Sequence, residues 1–186
     1  MNRKLIMCLL VSALALSAYA QDEEEEPKRG FDKSKLFYGG NIGLGFGSNQ
    51  TYVNVSPQVG YRFNRFFAAG AGINFIYSSY NYEDIFGYKD QYGVVGLNIF
   101  GRAYPIEYIF AQVQPELNYT WFKQTYTTGD VQKQGPKFVP SLLVGGGASI
   151  PLGRAGAMLV MIQYDLLQQP LNPYGESAFF TIGFNF

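Results

Sequence analysis

Four ionisable side chains, Arg62, Arg102, Glu116 and Asp165, fall in the middle of segments that alternate apolar and polar residues, and all four share the polar parity. Two bases and two acids so placed could serve as an acid/base site, a charged lining or a set of internal ion pairs. The chain contains no histidine. That excludes imidazole metal ligands, Ser-His nucleophiles and histidine acid/base chemistry. Catalysis would have to rest on Glu116 or Asp165 alone, and charge balance with Arg62 and Arg102 is the simpler role. The expectation is no enzyme, no metal and no cofactor. Gly39-Gly40, Gly43-x-Gly45-x-Gly47 and Gly145–Gly147 lack the following helix and the Lys-Ser/Thr pair of a phosphate loop, so they read as close strand packing.

The elements that must position these groups follow from a period of two, because successive side chains on a strand point to opposite faces. Strands are predicted at about 36–47, 52–63, 66–78, 91–103, 108–121, 137–151 and 156–167, with an eighth closing at 186. The fifth is the clearest: Ile109, Ala111, Val113, Leu117, Tyr119 and Trp121 alternate with Gln112, Gln114, Glu116, Asn118 and Thr120. Connections alternate between short (64–65, 105–107, 152–155) and mostly longer (79–90, 122–136, 168–175). Loop residues Tyr80, Tyr82, Phe86, Tyr88 and Tyr126 could meet a surface protein or ligand, or rest on the rim.

One face is continuously aliphatic and aromatic; the other is small, polar and sparsely charged. A soluble barrel would turn Lys and Glu outward. The reverse arrangement fits an all-β, eight-stranded antiparallel up-and-down barrel crossing a bilayer, its narrow lumen filled by side chains. Turned to lipid, a basic residue would cost about 2–4 kcal/mol near the midplane. The aromatics fall near the two ends of the strands, as interfacial girdles require.

The first twenty residues read as a leader: Arg3-Lys4, an apolar run from Leu5 to Leu16, and Ala18-Tyr19-Ala20, with cleavage after Ala20. Its removal takes the only cysteine, Cys8, and leaves 12 basic against 14 acidic residues. No basic patch points to nucleic acid. Residues 21–35, with the acidic run Asp22 to Glu26, read as a disordered periplasmic lead-in, and 36–186 as one barrel domain.

Over 36–186 the chain resembles the small outer-membrane β-barrel family that includes OmpX and the transmembrane domain of OmpA. Phe184-Asn185-Phe186 is similar to that family's terminal assembly signal, although Thr181 stands where a Gly is common. The resemblance implies recognition by the barrel-assembly machinery, outer-membrane lipid as surroundings, periplasmic termini and a monomer. The leading expectation is a plugged barrel with a structural or surface-interaction role. A narrow channel or secretion-accessory, porin-like protein comes second, and a lipid-modifying enzyme last.

Overall fold

The computed structural model describes residues 32–153 and 156–186. The leader with its Ala20 site, the acidic run and Arg154 lie outside the described residues. The chain enters through a 3-10 turn, Lys33–Lys35, capped by Asp32 Oδ1 on the Ser34 N–H at 3.0 Å. Eight strands follow: β1 (Leu36–Phe46), β2 (Gln50–Arg62), β3 (Phe67–Asn81), β4 (Tyr88–Ile106), β5 (Ile109–Tyr126), β6 (Val131–Pro151), β7 (Ala157–Asp165) and β8 (Phe179–Asn185). Each pairs antiparallel with the next, and β8 returns to β1 to close the barrel. This is the predicted architecture. One short helix, α1 (Glu83–Phe86), interrupts the β3–β4 connection.

The parity is realised as expected. Ile42, Leu44, Leu97, Ile99, Leu117 and Ile182 point outward and are exposed, whereas Asn74, Asn98, Gln112, Gln114 and Asn118 point inward and are buried. Three boundaries differ from the expectation. The predicted loop 122–136 is mostly strand, because β5 and β6 stay paired from Phe122↔Gln134 to Thr125↔Val131 and leave only 127–130 to turn. Polar residues occupy both faces there, so no apolar period marks the strand, yet the ladder continues. The β3–β4 connection likewise shrinks to 82–87. The longest connection is instead 166–178, between the short strands β7 and β8.

Two interior prolines interrupt ladders they cannot serve. Ser56 and Pro57 have no β3 register partner, and the β4–β5 register skips Gln114 and Pro115. Proline has no N–H to donate, and the other side of each strand keeps its pairing. Glycine works differently at Gly93, directly opposite Trp121. The indole lies over the Gly93 backbone, and any Cβ there would run into the ring. An aromatic laid across a glycine in this way pins cross-strand register.

Gly93→Val is therefore expected to displace the chain's single tryptophan and cost about 1–3 kcal/mol through overpacking. A lower urea midpoint in micelles together with shifted tryptophan emission would show it; an unchanged midpoint would contradict the packing described.

Candidate functional site

The interior is the place where this fold concentrates polar chemistry, and it is divided into two zones. Toward the ends marked by the β2–β3 and β4–β5 turns, the lumen is apolar: Ala68, Tyr104, Phe110, Leu159 and Met161 form one buried cluster with Phe37 packed against it. Phe100 joins at 6.3 Å from Phe37, ring centre to ring centre. The sequence reading missed this zone by treating the inward parity as uniformly polar. The signal was present, since Phe100 shares parity with Asn98 and Arg102, Phe110 with Gln112, and Leu159 and Met161 with Gln163 and Asp165.

Arg102 stands at the boundary between the zones. Its guanidinium carbon lies 4.5 Å from the Phe100 ring centre and 5.5 Å from that of Phe110, a favourable seat for a desolvated cation. Its polar edge starts a relay along β5. Arg102 Nε donates to Gln112 Oε1 at 2.5 Å, Gln112 Nε2 to Gln114 Oε1 at 2.5 Å, and Gln114 Nε2 to Glu116 Oε1 at 2.6 Å. Alternate residues of one strand bring these groups to one face, and the two end charges set the orientation of both amides between them. Arg102 Nη2 also donates to Gln58 Oε1 at 3.2 Å. The Asn185 amide, in the orientation that satisfies its own bonds, accepts from Arg102 Nη1 at 3.1 Å.

Glu116 Oε2 receives two further donors, Asn118 Nδ2 at 3.1 Å and the Tyr174 hydroxyl at 2.6 Å. Tyr174 belongs to the 166–178 connection, which folds back over the lumen. Burial first, and then the Glu116 carboxylate, hold its hydroxyl well above the ordinary tyrosine value, so it stays a donor. Its ring stacks on Phe179 at 4.8 Å. The Tyr92 hydroxyl donates to the Leu171 carbonyl at 2.6 Å, and Asp165 Oδ1 accepts from the Leu142 and Leu167 N–H groups at 2.9 and 3.1 Å. Gln168 and Leu171 hold positive φ of 43° and 69°, conformations that persist only when surrounding contacts fix them.

The four predicted ionisable residues thus separate. Arg102, Glu116 and Asp165 are buried in the lumen. Arg62 is exposed at the far end of β2, its guanidinium 5.2 Å from the Tyr104 ring centre. The expected pairing of bases with acids takes another form: Arg102 and Glu116 are joined through two amides, and Asp165 binds backbone N–H groups. Strand parity located three of the group, while their partners depended on register.

The loop candidates come together. Tyr80 stacks on Tyr82 at 6.2 Å, Tyr82 meets Phe86 at 6.1 Å and Tyr88 at 5.5 Å, and Tyr88 meets Tyr126 at 6.2 Å. Phe86 is the exposed member. Phe184 pairs with Gly40 across the closing seam, and the Phe186 backbone exchanges two hydrogen bonds with Tyr38, at 3.0 and 2.7 Å.

No protein-family model matches this sequence, and no curated protein does. Among solved structures, a match is the translocator domain of the autotransporter NalP from Neisseria meningitidis, 9% identical with a TM-score of 0.43, covering 96% of this chain and 97% of that one. A likeness of this size assigns neither family nor function.

Replacing Glu116 by Leu strands three donors at once. Glu116→Leu is expected to cost about 3–5 kcal/mol, the penalty for uncompensated buried partners, and Glu116→Gln clearly less because one acceptor oxygen remains. Urea unfolding of both variants in detergent checks the order; equal losses would show that the relay is not what holds the site.

Proposed function

We propose that the chain is an integral β-barrel protein of a bacterial outer membrane, with a sealed lumen and a structural or surface-interaction role in the envelope, and that it is not an enzyme. The observation that carries this reading is the inverted barrel. Its outside is a belt of exposed Ile, Leu, Val and Phe, while Arg102, Glu116 and Asp165 are nearly inaccessible inside. Such a belt in water would be an aggregation surface far larger than soluble monomers tolerate; against hydrocarbon it is the required solution. Tyr77, Tyr119, Trp121 and Phe138 supply aromatics near one end of the belt, and Tyr61, Phe63 and Phe67 near the other.

In this reading the short turns and both ends of the chain face the periplasm, and the aromatic cluster around Phe86 faces outward for a surface protein or ligand. The terminal Phe184-Asn185-Phe186 serves recognition by the barrel-assembly machinery, and the protein works as a monomer among outer-membrane lipids. A narrow channel is the weaker reading. What supports the sealed reading is the apolar cluster packed in one half of the lumen and the connection that brings Tyr174 to Glu116 in the other.

In planar bilayers the wild-type protein is expected to give no sustained openings. Loosening both halves, with Phe110→Ala in the apolar cluster and Tyr174→Phe to release the connection from Glu116, should give brief, flickering current. Defined long openings from the wild type would overturn the sealed barrel in favour of the channel. Lipid A from a deletion strain is expected to keep its acyl pattern, and an altered pattern would restore the enzyme hypothesis.

A further inference from the structure

The seam between β8 and β1 is unlike the others. β1 and β2 pair at eleven register positions and β7 and β8 at seven, but β1 and β8 pair at Gly39↔Asn185, Gly40↔Phe184 and Asn41↔Gly183, with the Tyr38–Phe186 backbone exchange below them and no register partner above. Above Asn41, continuing the register would set Ile42 against Ile182 and Leu44 against Phe180. Those positions have no register partner across the seam, and their side chains are 56%, 49%, 62% and 77% exposed.

On the outer wall at the foot of this opening lies a hollow of about 500 Å³, lined among others by Tyr38, Gly40, Ile42, Val55, Pro57 and Phe184. It exists because outward parity falls on Gly40, which has φ 152° and where any Cβ would strike the Ser56 carbonyl oxygen. Behind the opening, the inward positions Gly43 and Gly45 leave only backbone, with the Tyr52 ring laid across them. Of the seven buried side-chain polar atoms without a hydrogen-bond partner among the described residues, two lie behind this wall: Asn41 Oδ1, an acceptor on a residue that lines the hollow, and Gln163 Nε2, a donor whose own amide oxygen accepts from Thr181 of β8. Each such group costs about 1–3 kcal/mol unless something bonds it.

We infer that this seam is a binding site for an amphiphile, a single-chain lipid or fatty acid whose tail lies in the outer hollow and whose polar head reaches the lumen side near Asn41 and Gln163. The inference rests on the membrane reading above, which makes this wall continuous with the lipid-facing belt. A peptide strand fits less well. It would satisfy the edges of β1 and β8 through its own backbone but would leave the polar atoms behind the wall unbonded.

The test uses the full chain in phosphatidylethanolamine nanodiscs with palmitic acid carrying a photoreactive diazirine near its tail, and maps adducts by mass spectrometry. Label is expected at Ile42, Val55 and Phe184 several-fold above the opposite wall at Leu97 and Leu117. Ile42→Cys with Ile182→Cys, oxidised to close the seam, should bring labelling down to that background, with recovery on reduction. Ile42→Trp, which fills the hollow without a cross-link, should lower it as well. Asn41→Leu should weaken labelling about fivefold, the loss of one hydrogen bond, without lowering the urea midpoint. Even labelling around the belt would overturn the seam site while leaving the membrane reading intact. No labelling on any face would overturn the membrane reading itself. Cross-linking of Ile42→Cys to another polypeptide in place of the palmitate would establish a strand partner and overturn the amphiphile.

Discussion

The structure depends on how two opposite charges are held apart inside a narrow tube. Arg102 and Glu116 do not touch; two glutamines on β5 connect them, every amide dipole pointing the same way. Hydrogen bonds to charged groups contribute about 1.5–3 kcal/mol each, and chained bonds polarise one another. The relay also fastens walls that are distant in sequence. Arg102 reaches β2 through Gln58 and β8 through Asn185, while Glu116 holds the 166–178 connection through Tyr174. Register, amide orientation and loop position are therefore mutually dependent. A slip of one residue in β5 would turn the whole series outward.

Much of this was legible in the chain. Alternation over 109–121 marks which residues of β5 face inward, and the absence of histidine removes whole classes of chemistry. Fold class followed from the same pattern. Other features were hidden for physical reasons. The outer halves of β5 and β6 are polar on both faces, so pattern could not separate a hairpin from a loop. Arg62 carries the correct parity, yet it lies at the end of its strand, where parity no longer means enclosure. The contact between Tyr174 and Glu116 spans 58 residues and arises only because the connection folds inward, which no local period encodes.

The inner aromatic zone shows how a single parity serves two purposes. Near Arg102 the inward positions change from amides to Phe100, Tyr104 and Phe110, and the guanidinium lies against the Phe100 and Phe110 rings. A cation usually demands water or a carboxylate. Here π faces on one side and amide oxygens on the other let it sit where the lumen turns dry. Phe110, which accommodates the charge, also belongs to the buried apolar cluster, so polarity and packing are coupled along the length of the lumen.

The rim is not level. β4, β5 and β6 run for 19, 18 and 21 residues, while β7, β8 and β1 run for 9, 7 and 11. One flank stands as a parapet bearing Phe86 and its neighbouring rings, and the opposite flank is a low sill beside the loosely joined strands. A cylinder with such a lopsided crown has a front and a back. Rotation about the barrel axis becomes a variable, and a neighbour approaching from one side meets a different molecule from one approaching the other.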